Sequence, residues 1–448
     1  MAHGTLALVL ELHHRLPAPG EPAGTDWALA AAELYWPLAQ VLDGLADAGL
    51  TDALTLAVSP AWTALAADLD ARCAVRTRLD AMAAGPDADA DGRHDALRQF
   101  AVDRWGGDLL APLRDAADRG AVRLVPLAAS HAWLPSLAGI PTLARAQAGA
   151  AADDHAARFG APAQGMWLPH AAYDPELDAP LGANRLRFTA VSAHDFVRGT
   201  ARPPHGPFEI LVTPTGVAVF AIDADPGRQL LSYRDPDAPP GSSRSVARAR
   251  AFANSWRASV ADRARWSPAP REAPPISLAA LPIHALGRDG VAWLADLVPA
   301  LADADAWPLT TPERHLDRHP EGPVGRPGTT AGGWLAARPV GADLLDRVRD
   351  AACTLADALA WPAAATPLGR RALDQALREV LLAAALDWDL PASLDPDAAL
   401  ARARLRLDRA AALLSRLAGG ALDPAAVAAF ETGPAYLPDL DLDRLREP

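Results

Sequence analysis

The sequence contains no lysine: all 42 basic residues are arginine, and 55 carboxylates outnumber them, for a net charge of -13. The excess carboxylates are spread along the chain rather than gathered in a tail, so neither a polyanionic partner nor nucleic acid is expected. Cysteine is almost missing. Cys73 and Cys353 lie far apart, without the spacing of a metal knuckle or a redox pair, which excludes a disulfide framework and points to a reducing compartment. Long apolar runs are also lacking, with no stretch of about 18 uninterrupted apolar residues. The opening MAHGTLALVLELHH has no basic start, and its short apolar run contains Glu11, so it does not read as a secretory leader. A cytoplasmic protein without a membrane partner is expected.

What is present is hydrophobic substance. Half of the 448 residues are hydrophobic, enough to bury a large core without disulfides or metals. Seven short apolar runs alternate with alanine-rich stretches of helical length, the pattern of a parallel α/β sheet. They are Thr5 to Leu12, Ala53 to Ser59, Val122 to Ala129, Gln164 to Pro169, Phe188 to Ala193, Gly216 to Asp223 and Ile276 to Ile283. The runs end at His13, Ser59, Ser130 with His131, His170, His194, Asp223 and His284. In a parallel barrel the loops after the strands converge on one mouth, so these residues are candidates for one site. Residues 232–275, rich in proline, arginine and serine around a helix at Ser245 to Ala261, read as an insertion over that mouth. The stretch HPEGPVGRPGTTAGG marks a boundary, dividing the chain into a barrel at 1–320 and a helical domain at 321–448. In the latter, Gly341 to Ala360, Leu368 to Trp388 and Asp395 to Leu417 carry apolar residues at helical spacing.

Several stretches resemble glycoside hydrolase family 57. GMWLPHAAYDPEL, Gly165 to Leu177, is similar to the family's G-x-W-L-P-E-x-x-Y stretch, with His170 where the nucleophilic glutamate stands. LVPLAASHAWLPSL places His131 on the histidine of A-x-T-H-G-x-L-P, and LHHRLP keeps His13 and Pro17 of H-x-H-L-P but has Arg15 for the second histidine. ALTLAVSPAWTALAAD and DWALAAAELYWPLAQVLDGL resemble the second strand and the first crossover helix. RRALDQALREVLLAAALDWDL resembles a helix of the branching-enzyme members, with Arg371, Gln375, Arg378, Glu379, Asp387 and Trp388 in register. PIHALGRDGVAWL is the counterpart of P-Y-D-A-E-L-F-G-H-W-W, with His284 on the acid's position, and the tryptophan-rich loop is reduced to TTAGGWL with Trp334. The resemblance implies a seven-stranded (β/α)7 barrel followed by helices, and an α-1,4-glucan as ligand.

The substitutions at His170 and His284 change the chemistry. Retaining glycosyl transfer needs two carboxyl groups about 5–5.5 Å apart, one to attack the anomeric carbon and one to protonate the leaving oxygen. Histidine can donate a proton, but imidazole cannot supply the negative charge that stabilises an oxocarbenium-like transition state. Losing both groups is expected to cost roughly a thousandfold or more in rate. Asp174, Glu176 and Asp289 lie nearby, but solvation or helix capping accounts for them. A shifted loop path that brings one of these carboxylates inward would leave a residually active glucan branching enzyme or glycoside hydrolase as an alternative; with that activity lost, three readings follow. The first is a glucan- or oligosaccharide-binding protein that uses His13, His131 and Asp223 and stacks sugars on Trp133, Trp167, Trp256 and Trp388; thirteen tryptophans against four tyrosines supply the indole faces. The second is a metal-dependent carbohydrate hydrolase ligated by His13, His131, His170 and His284 with Asp223 or Asp195. The third is a scaffold for another enzyme of glycogen metabolism. With no H-x-x-x-H signature, no metal or cofactor is assigned.

Overall fold

The computed structural model describes the chain apart from residues 1–3, 20, 22–23, 85–91, 202, 234, 236, 266–272, 304–305, 331–338, 386–395 and 447–448. Six strands form the parallel ladder: β1 (Thr5–Leu12), β2 (Leu54–Val58), β3 (Val122–Pro126), β4 (Phe188–Ser192), β6 (Ala218–Ile222) and β7 (Ile276–Pro282). Their order across the sheet is β3-β2-β1-β7-β6-β4. Two short strands complete it: β5 (Leu211–Val212), antiparallel to β6, and β8 (Leu309–Thr310), parallel to β1. Each of the six long strands lies within a run expected from the sequence. The remaining run, Gln164 to Pro169, makes single parallel bridges instead of a ladder. Trp167 pairs with Leu127 beyond β3, and Gly165 pairs with Phe188 of β4, so this segment touches both edges of the six-stranded sheet.

Side-chain parity divides the strands between two cores. Along β1, Leu6, Leu8, Leu10 and Leu12 face the outer helices, while Ala7 and Val9 face inward. Ala57, Val125, Leu127, Trp167, Phe188, Ala190, Ala218, Phe220, Ile276 and Leu278 join that inner cluster. Both faces are covered, which is why the strands read as continuous apolar runs rather than alternating ones. Outside the sheet, the expected helix in the insertion is Ser243–Arg265. The expected carboxyl-terminal helices appear as Pro339–Ala358, Pro367–Ala383 and Pro396–Ala418.

The last two pack around Glu379, a fully buried carboxylate that accepts from Arg409 at 2.8 Å, Arg406 at 3.0 Å and Gln375 at 2.9 Å. Arg406 reaches on to the carbonyl of Pro17, and Gln147 spans from Ser130 to the carbonyl of Leu381. These helices therefore rest against the loops that follow β1 and β3. The stretch read from sequence as a boundary is also tied to the sheet side. Val324 bridges Val212, Gly328 donates to the carbonyl of Asp195, and Thr330 donates to that of Tyr173.

Candidate functional site

Four histidines meet, three following β1, β3 and β7 and the fourth, His170, following the bridging segment Gln164 to Pro169. The His13 and His131 rings stack with centroids 3.9 Å apart and planes 8° from parallel, and the His170 ring stands edge-on to His131 at 5.3 Å. His284 is close enough, with His170, to depress the basicity of His13. Burial does most of that work and drives the His13 pKa down to about 3, with the neighbouring His14, His170 and His284 opposing a second positive charge. Burial also lowers the pKa of His284. His13 is thus neutral at physiological pH, and His284 is displaced in the same direction.

Local chemistry positions His13 and the loop that carries His131. Ser59 caps the helix Pro60–Ala67 by accepting from Trp62 N–H, and the same hydroxyl lies 2.9 Å from His13 Nδ1. Gln147 holds the loop before His131 by accepting from Ser130 N–H and donating to Ser130 Oγ. His284 falls in the first turn after β7, which Gly287 interrupts at φ 62°. His131, His170 and Ala171 all have positive φ, at 57°, 58° and 54°. Non-glycine residues in that region cost about 1–3 kcal/mol each and persist where the surroundings over-determine them.

Other candidates lie elsewhere, and the placements of Trp167, Trp256, Asp223 and Asp195 differ from the sequence reading. Trp167 is completely buried inside the sheet, where parity turns it inward and its indole N–H donates to Glu11 Oε1 at 2.8 Å. Trp256 is buried between the insertion helix and the outer face of β7, with its N–H on Ser277 Oγ at 3.1 Å. Neither offers a face to a sugar. Asp223 follows the inward-facing Phe220 and Ile222 by odd parity, so it turns to the helical layer, where Arg263 binds it at 2.5 Å. Asp195 is buried and accepts from Ser192 and Thr330 hydroxyls, each at 2.9 Å. His194 is exposed beside Arg198. Trp133 is half-buried on the loop carrying His131, and Trp388 and Trp334 lie outside the described residues. Asp174 caps the turn Pro175–Leu177, and Glu176 and Asp289 are exposed.

The residue that sequence reasoning passed over is Glu11. It precedes His13 by two positions on the inward face of β1, and burial raises its pKa to about 6 against the Trp167 hydrogen bond. One carboxyl therefore lies beneath the histidines; Asp195 and Asp223 are held by other partners and do not complete a pair. Among the described residues no three histidine, cysteine or acidic side chains are disposed to hold a metal ion. No helix among them is long and apolar enough to cross a membrane.

A parallel α/β sheet with helices closing one side, and functional groups at its strand ends, is the class of fold found in family 57 glycosyl hydrolases, which this chain resembles. The family's model, Glycosyl hydrolase family 57, matches residues 65–266, and the model of the 1,4-alpha-glucan branching enzyme C-terminal region matches residues 345–444. Among curated proteins, a 1,4-alpha-glucan branching enzyme of Thermococcus kodakarensis is 26% identical over 270 residues, covering 50% of this chain and 40% of that enzyme. The chain thus aligns with less than half the length of that relative. Its solved structure, in complex with glucose and additives, superposes with a TM-score of 0.80 at 18% identity, covering 99% of this chain and 97% of the other. The alpha-amylase AmyC of Thermotoga maritima superposes at 0.83 with 17% identity over 100% of both chains. At these identities the structures establish the shared fold.

Proposed function

We propose that this chain is an α-glucan- or oligosaccharide-binding protein built on the branching-enzyme fold, without ordinary retaining glycosyl transfer. The observation that carries this reading is the convergence of His13, His131, His170 and His284 at one mouth, with imidazole at both positions where the resemblance expects a carboxyl. Imidazoles can hydrogen-bond sugar hydroxyls but supply no anion opposite a developing sugar cation. Glu11 provides one carboxyl, and retaining chemistry needs two. Glucose in the structure of the T. kodakaraensis relative supports a saccharide as ligand.

In this reading the segment Gln164 to Pro169 serves as the seventh strand, closing a (β/α)7 barrel between β3 and β4. The barrel spans 1–320, with the insertion at 232–275 and helices at 321–448. His170 and His284 are the degenerate nucleophile and acid positions, and Trp133 is the indole placed to stack on a sugar. The protein works in the cytoplasm, alongside enzymes of glycogen metabolism.

The test is direct. Purified protein is incubated with amylose and followed by iodine staining and by reducing-end release, beside His170→Glu combined with His284→Asp; in parallel, glycogen and maltoheptaose are titrated against tryptophan fluorescence. The expected result is saturable binding with no branching by the native chain. Branching at a rate typical of enzymes defeats the proposal, and a flat titration removes the ligand.

A further inference from the structure

The fold gathers three sides of the mouth around Glu11. In register β1 sets it beside Ala57 of β2 and Pro282 of β7, the latter two residues before His284. From the closing segment comes Trp167, three residues before His170, whose indole N–H binds Oε1. Two residues on, along the same face of β1, stands His13, stacked on His131. Glu11 therefore occupies the layer directly under the histidines and keeps partial contact with solvent.

What faces it is uncharged. Ala57 and Pro282 bring no side-chain donor, Trp167 brings one neutral N–H, and His13 and His284 resist protonation. Among the described residues no arginine pairs with Glu11, whereas the buried carboxylates Asp154, Asp178, Asp223 and Glu379 each lie beside at least one and Asp195 accepts from two hydroxyls. A carboxylate withdrawn from water with a single donor is poorly stabilised in its charged form, and its raised pKa is the expected consequence. The group that best satisfies it is a cation that arrives with the ligand.

We propose that Glu11 makes the mouth selective for a saccharide bearing a protonated amine, an amino sugar unit whose ammonium group hydrogen-bonds the free carboxylate oxygen beneath the histidine ring. This rests on the reading of the mouth as a saccharide site and narrows it. The aromatic N–H on Oε1 fixes the carboxyl plane, so that Oε2 is the acceptor presented.

Calorimetric titration of the full chain at neutral pH with a glucosamine tetramer, its N-acetylated counterpart and maltotetraose tests this. The glucosamine tetramer is expected to bind about tenfold or more tighter than either of the others, the increment of a charge-assisted hydrogen bond. Glu11→Gln, which retains an acceptor for Trp167, should remove that preference. In the native chain the preference should also shrink below about pH 6 as Glu11 takes up its proton, a readout independent of whether the variant folds. Equal affinity for the three oligomers overturns the role of Glu11 while leaving a saccharide site standing. A preference that survives Glu11→Gln or the fall in pH overturns it as well. No binding by any of the three overturns the saccharide reading, and this inference with it.

Discussion

Replacing His13 by asparagine should flatten the loss of stability that acid brings. In the unfolded chain His13 takes up a proton as the pH falls through about 6.5. In the fold, burial and three neighbouring imidazoles keep it neutral until about pH 3. Between those values the unfolded state binds the extra proton, so stability present above pH 6.5 is progressively lost as the pH drops. At pH 5 the full linkage is about 2 kcal/mol, and because His13 retains some exposure an effect of about 1–2 kcal/mol is the realistic size. Buried His155 and His315, each lowered to about 4, add losses of the same sign. Glu11 acts in the opposite direction, since its raised pKa means the fold regains stability as the pH falls through about 6. His13→Asn keeps a nitrogen near Ser59 Oγ while removing the titration. Urea unfolding of both proteins at pH 8 and pH 5 should show the variant losing about 1–2 kcal/mol less than the native chain over that interval. Parallel pH profiles for the two would mean that His13 titrates in the fold much as it does in the open chain, and its neutrality in the fold would have to be abandoned.

Two further substitutions probe the frame that holds the mouth. Glu379→Gln leaves Arg406 and Arg409 without the buried anion they share, and should cost about 3–5 kcal/mol in urea unfolding; a loss below 1 kcal/mol would show the pairs to be exposed in solution. Gly165→Ala sets a methyl group 2.6 Å from the Phe188 ring where the closing segment meets β4, and should destabilise by about 1–3 kcal/mol, with an unchanged thermal midpoint refuting that close contact.

How much of this was legible in the sequence depends on parity. The apolar runs located the six long strands, because a sheet covered on both faces leaves no alternation to confuse with a helix. The same absence of alternation hid which way each polar residue points. Within ELHH, Glu11 reads as an interruption of an apolar run, yet its two-residue spacing from His13 was a usable signal that both share one face. Phe220, Ile222 and then Asp223 carry the converse signal, for a side chain one step past an inward residue turns outward, in this case onto Arg263. Trp167 and Trp256 were misjudged for a different reason. Composition counts indoles but does not say whether a ring packs inside the sheet or behind it; only the partners Glu11 and Ser277 settle that. Nor could periodicity reveal that Gln164 to Pro169 bridges its neighbours without a ladder, since bridging depends on the curvature of strands far away in the chain.

Backbone strain bears on the proposed ligand role of the histidine ring. His131, His170 and Ala171 sit in the left-handed region, where a side chain costs about 1–2 kcal/mol relative to ordinary backbone and glycine would relieve it. Here two of the strained positions hold the rings that complete the cluster: the positive φ at His131 accompanies its stacking on His13, and that at His170 accompanies its edge-on approach to His131. Neither contact adds to the apolar core, and the lowered pKa of His13 shows that gathering imidazoles in one place carries a further cost against protonation. Positive φ also occurs away from the mouth, at Asp52, Arg185, Trp307 and Leu437, so it is the clustering of three such residues with a mutually repelling set of bases, and not strain as such, that accords with the proposed ligand role.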